Sequence, residues 1–207
     1  LINKISIIKK EEHKTSKWSG GTTAQLLIYP EEAEYGERNF KWRLSSAKVD
    51  DEESTFTYLP GISRIIMIIE EKLRLEHEGH HTIELSAFEQ DSFKGEWTTK
   101  SYGKVTDFNL MMSSGCCGNL QSIILKEKVS KKIIFTNKVT GNYSTITDVF
   151  YIVKGNLEVV TELNKMYRLQ QGDIFEITRK SSENTFCFNF NNVESCDVKL
   201  IRTSIYY

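Results

Sequence analysis

The chain has 207 residues, enough to bury a core without disulfide or metal staples, as one large domain or two small ones. Its 27 Lys and Arg against 28 Asp and Glu give a formal charge of −1, which excludes the basic footprint of a nucleic-acid or anionic-membrane binder. No apolar run approaches the roughly 20 residues that cross a bilayer as a helix. Four cysteines with neither a CxxC spacing nor a paired framework fit a reducing, cytoplasmic setting.

Strand signals dominate and helix signals are scarce. The opening residues 1–8 alternate as a strand does and are too short and interrupted for a signal segment. In chain order the further predicted strands are 22–29, 40–49, 64–69, 73–78, 82–86, 105–111, 122–125, 133–137, 148–153, 157–161, 174–177, 185–189 and 198–203. So many short strands, broken by Gly, Asn, Asp and Ser, indicate an all-β sandwich or barrel.

A repeat runs through them at a constant offset of 84 positions. Ile68 and Ile69 match Ile152 and Val153, Leu73 and Leu75 match Leu157 and Val159, and Ile83 and Leu85 match Tyr167 and Leu169. Both halves place a short polar turn, Glu70-Glu71-Lys72 or Lys154-Gly155-Asn156, after the apolar strand. A gap-free match over several strands favours two copies of one β-module. The second copy ends in Gln171-Gly172-Asp173-Ile174-Phe175, a turn entering an apolar strand, which resembles the second motif of the cupin barrels. The Lys154-Gly155-Asn156 turn resembles the glycine turn of their first motif. The expected fold is therefore a bicupin: two tandem antiparallel jelly-roll barrels, 1–120 and 121–207, with strands from each end free to exchange between them. All three Trp, all four His and both Pro precede residue 98, so the first barrel is the expected home of any chemistry and the second is mainly structural.

Each candidate group has a plain structural alternative. A cupin metal site needs two His spaced by two on one strand face, and residues 64–69 carry none. His80 and His81 are adjacent and would point to opposite faces, while His77 with His81 could meet only across a hairpin. Solvated histidines around the Glu78-Gly79 turn are expected, with no metal and no cofactor. Gly20-Gly21-Thr22-Thr23 lacks phosphate-loop spacing and reads as a turn into a strand, though its hydroxyls could face a pocket. Along 40–47, Trp42, Leu44 and Ser46 share one face, and Lys41, Arg43, Ser45 and Ala47 the other, which reads from pattern as a surface. Asp107, Asn109 and Met111 share a face of either a barrel interior or an exposed edge strand. Cys116-Cys117 sits in a small-residue loop without a histidine nearby in sequence. Arg64 follows Pro60-Gly61 and opens the run 65–69, so it is either a surface cation at a strand end or, if inward, the anchor of an anion.

Five ordered segments over residues 18–112 resemble the HutD/Ves family: Trp18-Ser19-Gly20-Gly21-Thr22-Thr23, then Pro30, then Trp42-Arg43-Leu44-Ser45-Ser46-Ala47, then Phe56 with Pro60-Gly61-Ile62-Ser63-Arg64, and last Asp107-Phe108-Asn109-Leu110-Met111. The resemblance implies a bicupin linked to histidine utilisation that binds a small, formylglutamate-like carboxylate without being an established enzyme. It also implies the ligand-binding residues Arg64, Thr22, Trp42, Arg43, Ser45 and Asn109. The chain departs from the family at Glu70-Glu71, where a glycine is usual, and at Lys94-Gly95-Glu96, where Gly-Asp is usual, which bears on the ligand more than on the fold.

The reading is a non-catalytic cytoplasmic protein that binds a small carboxylate, with no nucleic-acid or membrane partner. The sheet edges of two open barrels are compatible with a homodimer. The alternatives are a metal-independent isomerase or lyase using Asp107 or Glu96 as base, and an interaction module working through the barrel's outer face.

Overall fold

The computed structural model describes residues 2–136, 142–181 and 185–207. The strands are β1 (Ile2–Ile8), β2 (Lys14–Trp18), β3 (Gly21–Tyr29), β4 (Trp42–Val49), β5 (Glu53–Thr55), β6 (Ser63–Glu70), β7 (Leu73–His77), β8 (His81–Leu85), β9 (Gln90–Lys94), β10 (Thr99–Tyr102) and β11 (Val105–Met112). They continue as β12 (Cys117–Leu125), β13 (Ser130–Thr136), β14 (Thr145–Lys154), β15 (Leu157–Thr161), β16 (Met166–Leu169), β17 (Ile174–Lys180), β18 (Thr185–Asn191) and β19 (Val198–Tyr206). Among the described residues the one helical element is a 3₁₀ turn at Lys10–Glu12, so the protein is all-β. The predicted strand 133–137 is observed through Thr136, and Asn137 lies outside the described residues.

The chain divides into two compact units, His13–Cys116 and Leu1–Glu12 with Cys117–Tyr207. β1 joins the latter by pairing antiparallel with β17, Ile5 opposite Ile177. In the unit His13–Cys116 a six-stranded sheet, β2-β3-β4-β11-β6-β9, and a four-stranded sheet, β5-β10-β7-β8, enclose a core of Val49, Ile66, Ile68, Leu75, Leu85 and Phe93. In the other unit a five-stranded sheet, β1-β17-β14-β19-β12, and a four-stranded sheet, β13-β18-β15-β16, enclose Phe135, Phe150, Phe175, Phe188 and Phe190.

The expected all-β architecture is observed, but the sheets do not close into barrels. Each unit is two separate sheets, and among the described residues no strand pairing joins them into a ring. Apolar side chains between the sheets hold them face to face, as in a sandwich. The repeat, by contrast, extends to topology. The order β4-β11-β6-β9 of one unit is the order β12-β19-β14-β17 of the other, and β5-β10-β7-β8 corresponds to β13-β18-β15-β16.

Candidate functional site

Side chains directly opposite on neighbouring strands share a face of the sheet. β11 lies between β4 and β6, with Met111 opposite both Arg43 and Arg64, Asn109 opposite Ser45 and Ile66, and Asp107 opposite Ala47 and Ile68. Arg43, Ser45, Arg64, Asp107 and Asn109 therefore project from one face, into the space between the sheets. All five are buried. This corrects one expectation from pattern, because the Arg43–Ser45 face is interior and not surface, and it decides between the two readings of 105–111, because β11 is a central strand and not an edge. Period-2 alternation shows that two faces differ but not which one faces inward, and here both are covered: Trp42, Leu44 and Phe108 on the opposite face are buried as well.

Arg64 is 7% exposed. The turn at Pro60-Gly61 delivers it: Leu59 N–H donates to Gly95 C=O (2.7 Å) and Gly95 N–H to Ile62 C=O (2.7 Å), tying the start of β6 to the end of β9. Its guanidinium carbon lies 4.7 Å from the centre of the Phe56 ring and 4.9 Å from that of Phe93. Among the described residues it has no ion-pair partner within 4.0 Å, and its Nε is buried without a hydrogen-bond acceptor. Burial lowers its pKa to about 10, with Tyr35 and Asp107 pulling it back up. Beside it, burial pushes the Asp107 carboxyl up to about 7, against the pull of Arg64 and a backbone hydrogen bond from Ala47. Asn109 Oδ1 is also buried without a partner. These groups line a pocket of about 180 Å³ with Trp18, Tyr35 and Phe56.

Arg43 differs in having hydrogen-bond partners at both Nε and Nη1. Its Nε donates to Gln25 Oε1 (2.9 Å), its Nη1 donates to Ser45 Oγ (3.1 Å), and its guanidinium lies 4.3 Å from the Tyr35 ring centre. Arg43 and Ser45 thus form a bonded pair beside Tyr35, whose ring lines the pocket. Of the six residues drawn from the family resemblance, the structure brings Arg64, Asn109, Arg43 and Ser45 to one face. Thr22 and Trp42 go to the other: Thr22 is opposite Lys48, and Trp42 stacks on Tyr29 with ring centres 5.7 Å apart. The neighbour Thr23, opposite Ala47, faces the interior and accepts a hydrogen bond from Trp18 Nε1 (3.2 Å). Only the β3–β4 register separates Thr22 from Thr23. Glu96 is exposed and does not line the pocket.

A second and larger pocket, of about 610 Å³, lies around the β7–β8 hairpin, lined by His77, His80, His81 and Lys100 among others. His77 and His81 are directly opposed across this hairpin, and both rings reach Asp91 on β9. His77 is 3% exposed, so it is a buried group and not the solvated turn histidine expected. Burial lowers its pKa, against the hydrogen bond and charge of Asp91. The cupin arrangement of two His spaced by two on one strand does not occur in this sequence, so the residues present do not fit that kind of metal centre. Cys116 and Cys117 are half-buried, and Cys117 opens β12.

The corresponding place in the other unit is filled by the chain itself. Asp148, which the 84-residue offset aligns with Arg64, is fully buried. Arg179 Nη1 and Ser204 Oγ donate to its carboxylate, and Arg202 Nε donates at 2.8 Å.

Two facing sheets repeated with one strand order, and a polar pocket inside one pair, define an all-β protein of cupin type. The solved structure of the conserved protein PA5104 from Pseudomonas aeruginosa PAO1 is similar over 98% of this chain and 99% of its own, at 18% identity and a TM-score of 0.78. HutD from Pseudomonas fluorescens SBW25, in a formate condition, is similar over 97% and 98%, at 19% identity and a TM-score of 0.66. An oxalate decarboxylase–formate complex from Lactobacillus farciminis shares the fold over 97% of this chain and 85% of its own, at 6% identity and a TM-score of 0.68. No curated protein sequence matches. The HutD family matches residues 10–192, and the chain belongs to that family.

Proposed function

We propose that this protein binds a small carboxylate, of the formylglutamate class, in the unit His13–Cys116, without catalysing its conversion, and so moderates histidine utilisation. In the same proposal the two units are the barrels of a bicupin, and the unit containing Cys117–Tyr207 is structural. The observation that carries this reading is Arg64, a buried guanidinium that makes no ion pair within 4.0 Å among the described residues and feels the Asp107 carboxyl only from across the pocket. An uncompensated buried charge costs several kcal/mol. Two ring contacts return about 1–2 kcal/mol each at a desolvated site, which leaves a deficit that a bound anion offsets. The contrast with Asp148 supports this, because there the chain supplies its own counter-charges.

The pocket also sets the size and shape of the ligand. At about 180 Å³ it falls below the roughly 300 Å³ at which drug-sized ligands begin. It pairs an unpartnered donor, Arg64 Nε, with an unpartnered acceptor, Asn109 Oδ1. An acid that carries an amide N–H, as N-formylglutamate does, matches both. The test is calorimetric titration of the protein with formate and with N-formyl-L-glutamate. Saturable binding is expected for the native chain, weakened about a hundredfold in Arg64→Met, the usual scale for losing one partner of a buried charged hydrogen-bond pair. Equal affinity in both proteins would remove Arg64 from the site.

A second reading, a metal-independent isomerase or lyase, is favoured by Asp107. A buried carboxyl held near 7 beside a cation is what a general base requires. Asp107→Asn separates the two: a binding protein keeps or gains affinity, because the change removes a negative charge from the pocket, whereas an enzyme loses turnover of the bound acid.

A further inference from the structure

We propose that His77, His81 and Asp91 form a binding site for a divalent transition-metal cation of the zinc class, with one coordination position open to the hairpin pocket. The three residues come from three strands, β7, β8 and β9, and their ligand atoms all lie within 4.8 Å of one another. His77 Nε2 and His81 Nε2 sit 2.8 and 3.0 Å from the same oxygen, Asp91 Oδ2. Ligand atoms on zinc bonds of about 2.0–2.1 Å are separated by about 3.3 Å in a tetrahedron, so the two N···O separations need to open by only a few tenths of an ångström, and small rotations of the two rings set the remaining N···N distance. Two imidazoles and a carboxylate suit zinc, nickel, copper or cobalt, and favour them over calcium or magnesium, which prefer all-oxygen ligands.

The surroundings are built as metal sites are. His77 Nδ1 lies 2.8 Å from Thr99 Oγ1, whose hydroxyl donates to the Trp97 carbonyl at 3.4 Å. With the proton on Nδ1, His77 donates to Thr99 and presents the lone pair of Nε2 toward Asp91. Outer hydrogen bonds of this kind fix the tautomer and ring orientation of metal-binding histidines. Phe93 and Trp97 wall the cluster, their ring centres 4.7 and 5.6 Å from that of His77. Among the described residues no Lys or Arg forms an ion pair with Asp91, so its charge is not already neutralised by a fixed cation. Side-chain exposure rises from 0% at His77 through 12% at Asp91 to 39% at His81, which leaves an approach from the pocket side. On binding, the cation takes the place of the two Nε2 protons, which move to Nδ1, and joins three ligands that now hold one another by hydrogen bonds.

The test is titration of the full-length, chelator-stripped protein with zinc chloride, followed by calorimetry and by the imidazole nitrogen shifts of labelled histidine. One equivalent is expected to bind, shifting His77 and His81. The affinity should fall at least tenfold in His81→Ala and in Asp91→Asn, and hold in His13→Gln. His81 lies at a half-open hairpin end, so its variant folds even if loss of Asp91 strands the buried His77; circular dichroism checks both. Absence of saturable binding, or equal zinc affinity in the native chain and His81→Ala, overturns the assignment. Zinc alone is the probe, so the result is independent of the anion pocket at Arg64.

Discussion

Replacing Arg64 by methionine separates two effects that usually travel together. The side chain is buried between Phe56 and Phe93 and makes no close ion pair among the described residues, so Arg64→Met removes a poorly compensated charge while keeping most of the volume. Thermal unfolding of the ligand-free variant should therefore begin no earlier than in the native chain, although its affinity for carboxylates collapses. Asp107 adds a pH dependence whose sign can be worked out. Its folded pKa of about 7 stands above the ordinary aspartate value of 3.8, so between these values the folded chain binds more protons than the unfolded one. This group's contribution to stability thus falls as pH rises through that window, and Asp107→Asn should flatten the slope in denaturant titrations. Carboxylate affinity should also be higher at pH 6 than at pH 8, because a neutral Asp107 no longer repels the ligand. At this scale the sequence was legible in identity but not in direction. The Pro-Gly-x-x-Arg segment marks Arg64, yet Thr22 and Thr23 differ by one position, and only pairing with Lys48 and Ala47 decides which one faces inward.

Among the elements, the turn between Leu59 and Ile62 governs the site. A methyl group on Gly95 would sit 2.2 Å from Leu59 O, so no other residue fits under this turn without moving it. Gly95→Ala should cost about 1–3 kcal/mol, the usual scale for overpacking, and should weaken carboxylate binding as well, because the displaced turn carries Arg64 with it. A stability loss with unchanged binding would show that Arg64 is held by its strand alone. Strands rich in β-branched and aromatic residues, such as β6 and β14, stand out in the sequence because burial writes their pattern. β2, β5 and β10 are short and polar, and nothing in their composition distinguishes them from loops. The meeting of His77 with Asp91 was illegible for another reason: it depends on β9 running beside the hairpin tip, a contact across 14 positions that no local spacing encodes.

For the molecule as a whole, the division into units does not follow the order of the chain. Deleting residues 1–12 strips the edge strand from β17 and removes Lys9, whose Nζ meets Asp173 at 2.6 Å. Hydrogen exchange should then accelerate along Ile174–Lys180 while the amides of β4 and β11 keep their protection. Equal loss in both places would mean that the two units unfold as one. The topological repeat shows what the shared scaffold permits: the same eight-strand order carries a filled, self-neutralised interior in one unit and an open one in the other. The register of β4, β11 and β6 also determines which kinds of change this chain can accumulate. Single replacements within these strands alter the pocket one group at a time. One inserted or deleted residue would flip everything beyond it to the opposite face, setting Trp42 and Leu44 where Arg43 and Ser45 now stand. Length variation among relatives of this chain should therefore be confined to the connecting segments, with residues 42–49, 63–70 and 105–112 fixed in number however far their composition drifts.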